Sequence, residues 1–513
     1  MGWLEGGSLS QDKSGSRQHL LRTLLGSALG VAFLLLSRLP VISGPLFGDD
    51  YLFVNEISGP NDAVSTWKLL FWSGSEKWRP LSTLPLGILA RHIGYSYFPY
   101  LLINLAALGL LIFLVAEFTS ATGTSSFVVC AISVLTATSQ FSWYDQVSIY
   151  GTMEVGSLIF LFIALRRLYD LLKDQDLPST GQFAHPLLAL TFSALTHERY
   201  TVAIMAVWAI ILFRWRACPH VSRRASIFLM SPLAILLCRV FILNLNPYQG
   251  GGETASVSGS TLSLTKRFIR ASVDIFGSIA GGGRYYAPGR FSDLMNGLGL
   301  SPLILLLTLP LLLGGAFAIA KTASKAKTFS DSEWIFMLLM VTGASLILIA
   351  STVAERTEGR WLYGPQILII LGLSTLLLRL DVRSRVLRRL PQLIVYTSLI
   401  GLIAIALYYR GSAYVYTSLQ RQANQTLISL DKRDLPKQSW SLRVVQPDSS
   451  LPAEWQFAYG KAFKQLKSPP NVVTFSNVAG PCLMPIGTRV CVNLRLTDIR
   501  VVSEITTTQL KKF

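Results

Sequence analysis

The sequence predicts an all-α polytopic membrane protein of about eleven transmembrane helices, followed by a small C-terminal α/β exterior domain. Two observations carry most of this reading. Hydrophobic residues make up 51% of the 513-residue chain against 14% charged, a balance at which a water-soluble protein would aggregate. The apolar residues also fall in runs of about 20, the length a helix needs to cross a bilayer. Lys plus Arg exceeds Asp plus Glu by 46 − 28 = 18. Because these cations cluster between apolar runs as the positive-inside rule demands, the excess does not call for nucleic acid as a partner.

Residues 1–21 read as a polar cytoplasmic segment. The first apolar run, Arg22 to Ile42, has no small-residue cleavage site and reads as a retained helix. Candidate spans lie near 22–45, 97–116, 124–142, 151–166, 182–196, 200–213, 225–245, 298–320, 333–353, 361–379 and 391–409, within a transmembrane unit of 22–410. The basic clusters Lys13/Arg17/Arg22, Arg166/Arg167/Lys173, Arg214/Arg216/Arg223/Arg224, Lys321/Lys325/Lys327 and Arg379 to Arg389 then share one face, the cytoplasmic one. Keeping Arg166 and Arg214 on that face requires two helices over Pro186 to Phe213, with His197-Glu198-Arg199 at the outer surface between them. The exterior segments are therefore the long loops 47–99 and 246–296, the short ones 142–150 and 354–360, and the C-terminal residues 411–513.

Within the long loops, Val64, Trp67, Lys68 and Phe71 share one helical face, as do Leu264, Phe268, Ile275 and Ile279, which predicts helices lying in the interface. Beyond residue 410, a helix-period stretch at Pro452 to Leu466 precedes strand alternation at Val490, Val492, Leu494 and Leu496. Cys482 and Cys491 can pair there in an oxidising compartment. No CxxC or paired-histidine spacing points to a metal.

The chemistry-bearing residues all fall on the exterior face. Gly48-Asp49-Asp50-Tyr51 places two carboxylates at the membrane boundary. They either cap a helix over Tyr51 to Ile57 or supply a general base, one acid touching substrate while the other anchors the loop. In Trp78-Arg79-Pro80-Leu81, Pro80 suits the first position of a helix, and Arg79 either snorkels to headgroups or forks around a phosphate. His197, Glu198 and Arg199 interrupt an apolar run, a costly placement that is usually functional, although Glu198 and Arg199 alone would make a self-paired break. Arg356, Glu358 and Arg360 precede Trp361-Leu362-Tyr363-Gly364-Pro365, as a polar turn or as part of a site. Arg284 follows three glycines, while Asp145 and Glu154 complete the exterior acids and each can instead bond a neighbouring helix.

These motifs resemble the GT-C superfamily of membrane glycosyltransferases, which includes protein O-mannosyltransferases and the aminoarabinose transferase acting on lipid A. The resemblance covers roughly residues 20–410. It implies an inverting transferase that moves a sugar from a polyprenyl-phosphate donor to an exterior glycan, lipid or protein. Asp49 would then be the leading base with Asp50 its partner, and Arg79, His197, Arg199, Arg356 and Arg360 would hold the lipid phosphate. Tyr51, Trp78, Asp145, Glu154, Glu198, Arg284, Glu358 and Tyr363 would border substrate. No cofactor is required, although some members use a divalent metal. A transporter or lipid flippase would show repeat symmetry and midplane charges instead. A non-catalytic scaffold would leave binding to the C-terminal domain.

Overall fold

The computed structural model of the chain describes residues 8–38, 46, 50, 53–54, 57, 69, 78–142, 148–173, 180–207, 230–243, 265, 268–269, 271–272, 275–276, 309–318, 340–349, 359–379, 389–407, 440–445, 472–476, 490–498 and 501–509. These residues form a helical bundle and a four-stranded sheet. The helices are α1 (Ser8–Arg38), α2 (Pro80–Ile93), α3 (Tyr97–Ala121), α4 (Ser126–Thr138), α5 (Gly151–Lys173), α6 (Thr180–Thr196), α7 (201–207), α8 (Met230–Ile242), α9 (Leu309–Ala318), α10 (Met340–Ile349), α11 (Tyr363–Leu378) and α12 (Leu390–Leu407). Three segments, Ser16–Ser37, Tyr97–Ala121 and Leu390–Leu407, are helical, long and apolar enough to cross a membrane.

One expected boundary moves. Helix α1 begins at Ser8, so the polar stretch before the first apolar run continues the same helix. His19 and Arg22 then reach the end of α3 from within that helix rather than from a separate segment. Loop 47–99 contains α2, which opens with Pro80 at its first position, where a missing N–H is harmless. Arg79 at its start bonds Glu198, and the carbonyl of Gly94 just past its end accepts the Tyr100 hydroxyl near the start of α3. Both ends of α2 therefore lie at one end of the bundle, and α2 does not traverse it.

The bundle core is built on close approach and on a central helix. Gly26 and Gly30, one turn apart on α1, sit where a Cβ would come within 2.8 Å of Val129 and 3.0 Å of the Ser133 carbonyl, so small residues admit α4 to the α1 backbone. Helix α11 is buried from Tyr363 to Leu377, as befits a helix apolar on every side.

The chain reverses at His197. Along α6, Phe192 stacks on Phe160, Ser193 donates to the Ser157 carbonyl, and Thr196 lies at Gly156, so α6 climbs α5 toward the latter's start. After the turn Tyr200 meets Glu154, and Ala203, Ala206 and Val207 of α7 line a small apolar cavity with Leu161 and Leu165. Helix α7 thus descends the same helix that α6 ascended, as two helices meeting at His197 require.

The sheet has the order β2-β1-β3-β4, with β1 (Trp440–Val445) parallel to β2 (Val472–Ser476) and to β3 (Val490–Asp498), and β3 antiparallel to β4 (Val501–Gln509). The alternation at Val490 to Leu496 falls in β3. The helical stretch expected at 452–466 lies outside the described residues.

Candidate functional site

The ends of the helices sort into two chemically distinct groups. At one end, Arg22 donates to the Thr124 carbonyl, Arg166 pairs with Glu117 at 2.7 Å and with Asp170, and Arg379 donates to the Thr122 carbonyl. His19 lies 3.9 Å from Glu117. At the other end, 119 residues of chain separate Arg79 and Glu198, yet Arg79 Nε and Nη2 each donate to one Glu198 oxygen at 2.5 Å. Arg22, Arg166 and Arg379 thus lie at the opposite end of the described helices from Arg79 and Glu198.

The local sequence explains how the second group assembles. Helix α6 stops at Thr196 because His197 is extended, and Glu198–Tyr200 forms a single 3-10 turn. That turn directs three consecutive side chains to three different elements. Glu198 takes the fork of Arg79, whose Nη1 also reaches Met153 Sδ at 3.5 Å. Arg199 lies over the Trp361 ring, 3.7 Å from its centroid. Tyr200, fully buried, donates to Glu154 Oε1 at 2.5 Å. His197 sits between carboxylates, with Nε2 3.6 Å from Glu154 and Nδ1 3.5 Å from Glu198. The Arg199 backbone N–H faces Nδ1 at 3.4 Å.

Burial by itself would push the Glu198 carboxyl up, but Arg79, His197 and Arg199 outweigh it and hold the group well below the ordinary carboxylate range. Glu198 therefore stays ionised, as its two-point pairing requires. Arg239, 6% exposed in the π-turn Cys238–Ile242 of α8, lies within electrostatic reach of both Glu198 and Arg79. Sequence reading missed this residue.

Asp50 takes the anchoring role that the acidic pair offered to one of its members. It is helical and fully buried, and its Oδ1 accepts from Ser148 Oγ at 2.7 Å and from the Ile149 backbone N–H at 2.9 Å. Asp50 is thus an anchor, docked against backbone at the start of α5, where the helix dipole favours a carboxylate.

Several residues expected to border substrate make internal contacts. Tyr363 is fully buried and its hydroxyl donates to the Thr136 carbonyl at 2.7 Å, which locks α11 to α4 rather than facing a ligand. Glu154, 5% exposed, faces Tyr200 and His197. Arg79 is not a lone interfacial cation, because Glu198 engages two of its three nitrogens. Trp78 is half-buried beside it. Arg360 lies in the 3-10 turn Gly359–Leu362, directly before the Trp361 that carries Arg199.

Asp49, Tyr51, Asp145, Arg284, Arg356, Glu358 and Cys482 lie outside the described residues, as do the side chains of Arg360 and Cys491. Among the described residues no group of three or more His, Cys, Asp or Glu side chains is placed to hold a metal ion. The chain matches no known protein family and no characterised protein.

Proposed function

We propose that this protein is an inverting glycosyltransferase of the multi-pass membrane class, with its N-terminus cytoplasmic and its reaction at the exterior end of the bundle. On this reading the sugar comes from a polyprenyl-phosphate donor in the bilayer and passes to an exterior acceptor. One observation carries the proposal. Largely buried Arg79, Glu198, His197 and Glu154 interlock at the bundle end opposite the arginine-rich one, where Asp50 also docks. Ionisable groups held so expensively in an apolar bundle are usually functional.

On this reading the candidates divide the labour. Asp50 is committed to the start of α5, so Asp49 is the base that takes the acceptor hydroxyl proton. As the acceptor oxygen bonds to the anomeric carbon, the sugar–phosphate bond breaks and the lipid phosphate leaves with the electron pair. Arg199 and Arg360 are the cations assigned to that phosphate. Stacking on Trp361 engages the face of the Arg199 guanidinium, and the N–H groups of a guanidinium lie in its plane, the geometry that matches phosphate oxygens. Arg79 and His197 position the turn that carries Arg199.

The test uses the full chain in nanodiscs with a polyprenyl-phosphate sugar and a panel of glycan, lipid and peptide acceptors. Asp49→Asn is expected to lower the transfer rate about 10²- to 10⁴-fold, the usual worth of a general base. Undiminished transfer by this variant removes Asp49 from the mechanism.

A further inference from the structure

Among the described residues, both halves of the site meet at the start of α5. Asp50 binds at Ser148 and Ile149, Arg79 reaches Met153, and His197 and Tyr200 face Glu154. Seven consecutive residues, 148 to 154, therefore touch the acidic first loop at one end and the cationic turn at the other. A rigid turn there fixes the separation between the two.

The turn is itself held by a residue outside the site. Asn104 of α3, 2% exposed between the apolar Ile103 and Leu105, donates from Nδ2 to the Ser148 carbonyl at 2.8 Å. Ser148, 1% exposed, spends its side chain twice: Oγ donates to Asp50 and accepts from the Tyr150 backbone N–H at 3.2 Å. The same serine's carbonyl accepts the Gly151 N–H at 3.0 Å, which opens α5. Phe53, one turn past Asp50, meets Tyr150 edge-on at 5.2 Å and closes the contact on its apolar side. A buried amide on a lipid-embedded helix is costly unless it organises something. Here it organises the serine that holds Asp50.

We infer that Ser148 and Asn104 are positioning residues for transfer: the chain Asn104–Ser148–Asp50 sets the first loop at a fixed distance from the Arg79–Glu198–His197 turn. The inference rests on the transferase reading. Neither residue touches substrate, so their loss should act on the rate of the chemical step and not on donor binding. Misplacement of a reacting group by about 1 Å can cost a hundredfold.

Ser148→Ala, Ser148→Thr and Asn104→Leu are compared with the parent, each as the full chain in nanodiscs, by transfer kinetics and by tryptic cleavage of the first loop at Lys68 and Lys77. Ser148→Ala and Asn104→Leu are expected to lower kcat about tenfold to a hundredfold with KM for the lipid-linked sugar unchanged. Loop cleavage should accelerate severalfold, and Ser148→Thr should restore both. Unchanged cleavage, unchanged kcat, a fall expressed only in KM, or failure of threonine to rescue overturns the inference. If the parent transfers no sugar at all, the transferase reading falls, and cleavage alone then judges whether Ser148 and Asn104 anchor the loop.

Discussion

Arg79 and Glu198 share two hydrogen bonds between groups 12% and 14% exposed, and through them the first long loop is fastened to the break between α6 and α7. Removing one partner strands the other charge. Glu198→Gln is expected to destabilise the protein by roughly 3–5 kcal/mol, whereas Arg79→Leu combined with Glu198→Leu recovers much of that loss. A double-mutant cycle by thermal unfolding in detergent measures the coupling, and additive losses would sink the pairing.

The same carboxylate sets a pH dependence. Its folded pKa lies well below the ordinary value of 4.5, so its contribution to stability is complete above that value and disappears as pH falls through the folded pKa. Between pH 5 and 8 this pair leaves stability flat. Unfolding temperature measured against pH should show an acid limb below about 4.5 that Glu198→Gln flattens.

Gly364 opens a space that Tyr200 fills. A Cβ there would sit 2.5 Å from the Tyr200 hydroxyl and 3.0 Å from Leu158. Gly364→Ala is expected to cost about 1–3 kcal/mol and to dislodge Tyr200 from Glu154. Adding Tyr200→Phe removes the offending oxygen and should recover part of the stability, a reversal that a general packing defect would not give.

Trp361 carries Arg199. If that guanidinium holds the donor phosphate, Trp361→Leu should raise KM for the lipid-linked sugar roughly twofold to thirtyfold, the range of a cation–π contact, with Trp361→Phe intermediate. An unaltered KM would detach this pair from donor binding.

Much of the helical organisation is legible in the sequence because lipid solvation imposes it locally. Described helical residues fall within every apolar run read as a span, and the reversal at His197 follows from where the arginines lie. Pairing is a different matter. Nothing near Arg79 in the chain names Glu198, so its snorkelling and phosphate-binding readings both missed an internal partner. The motif alone could not separate Asp50 from Asp49, since only tertiary contact with Ser148 distinguishes an anchor from an exposed acid. Arg239 did carry a signal: a cation inside the apolar run 225–245 is costly for the same reason that drew attention to His197–Arg199. For Glu154 an internal bond is among the readings, but its partner Tyr200 lies 46 residues away and could not be named from the chain.

Helix α2 has one more consequence. Its 14 residues are about 21 Å long, and they begin and end at the same end of the bundle. In a bilayer such a segment would occupy the leaflet on the Arg79 side and none of the other. Lateral pressure in that leaflet would then bear on the helix whose first residue follows Arg79, and through it on the Arg79–Glu198 fastening.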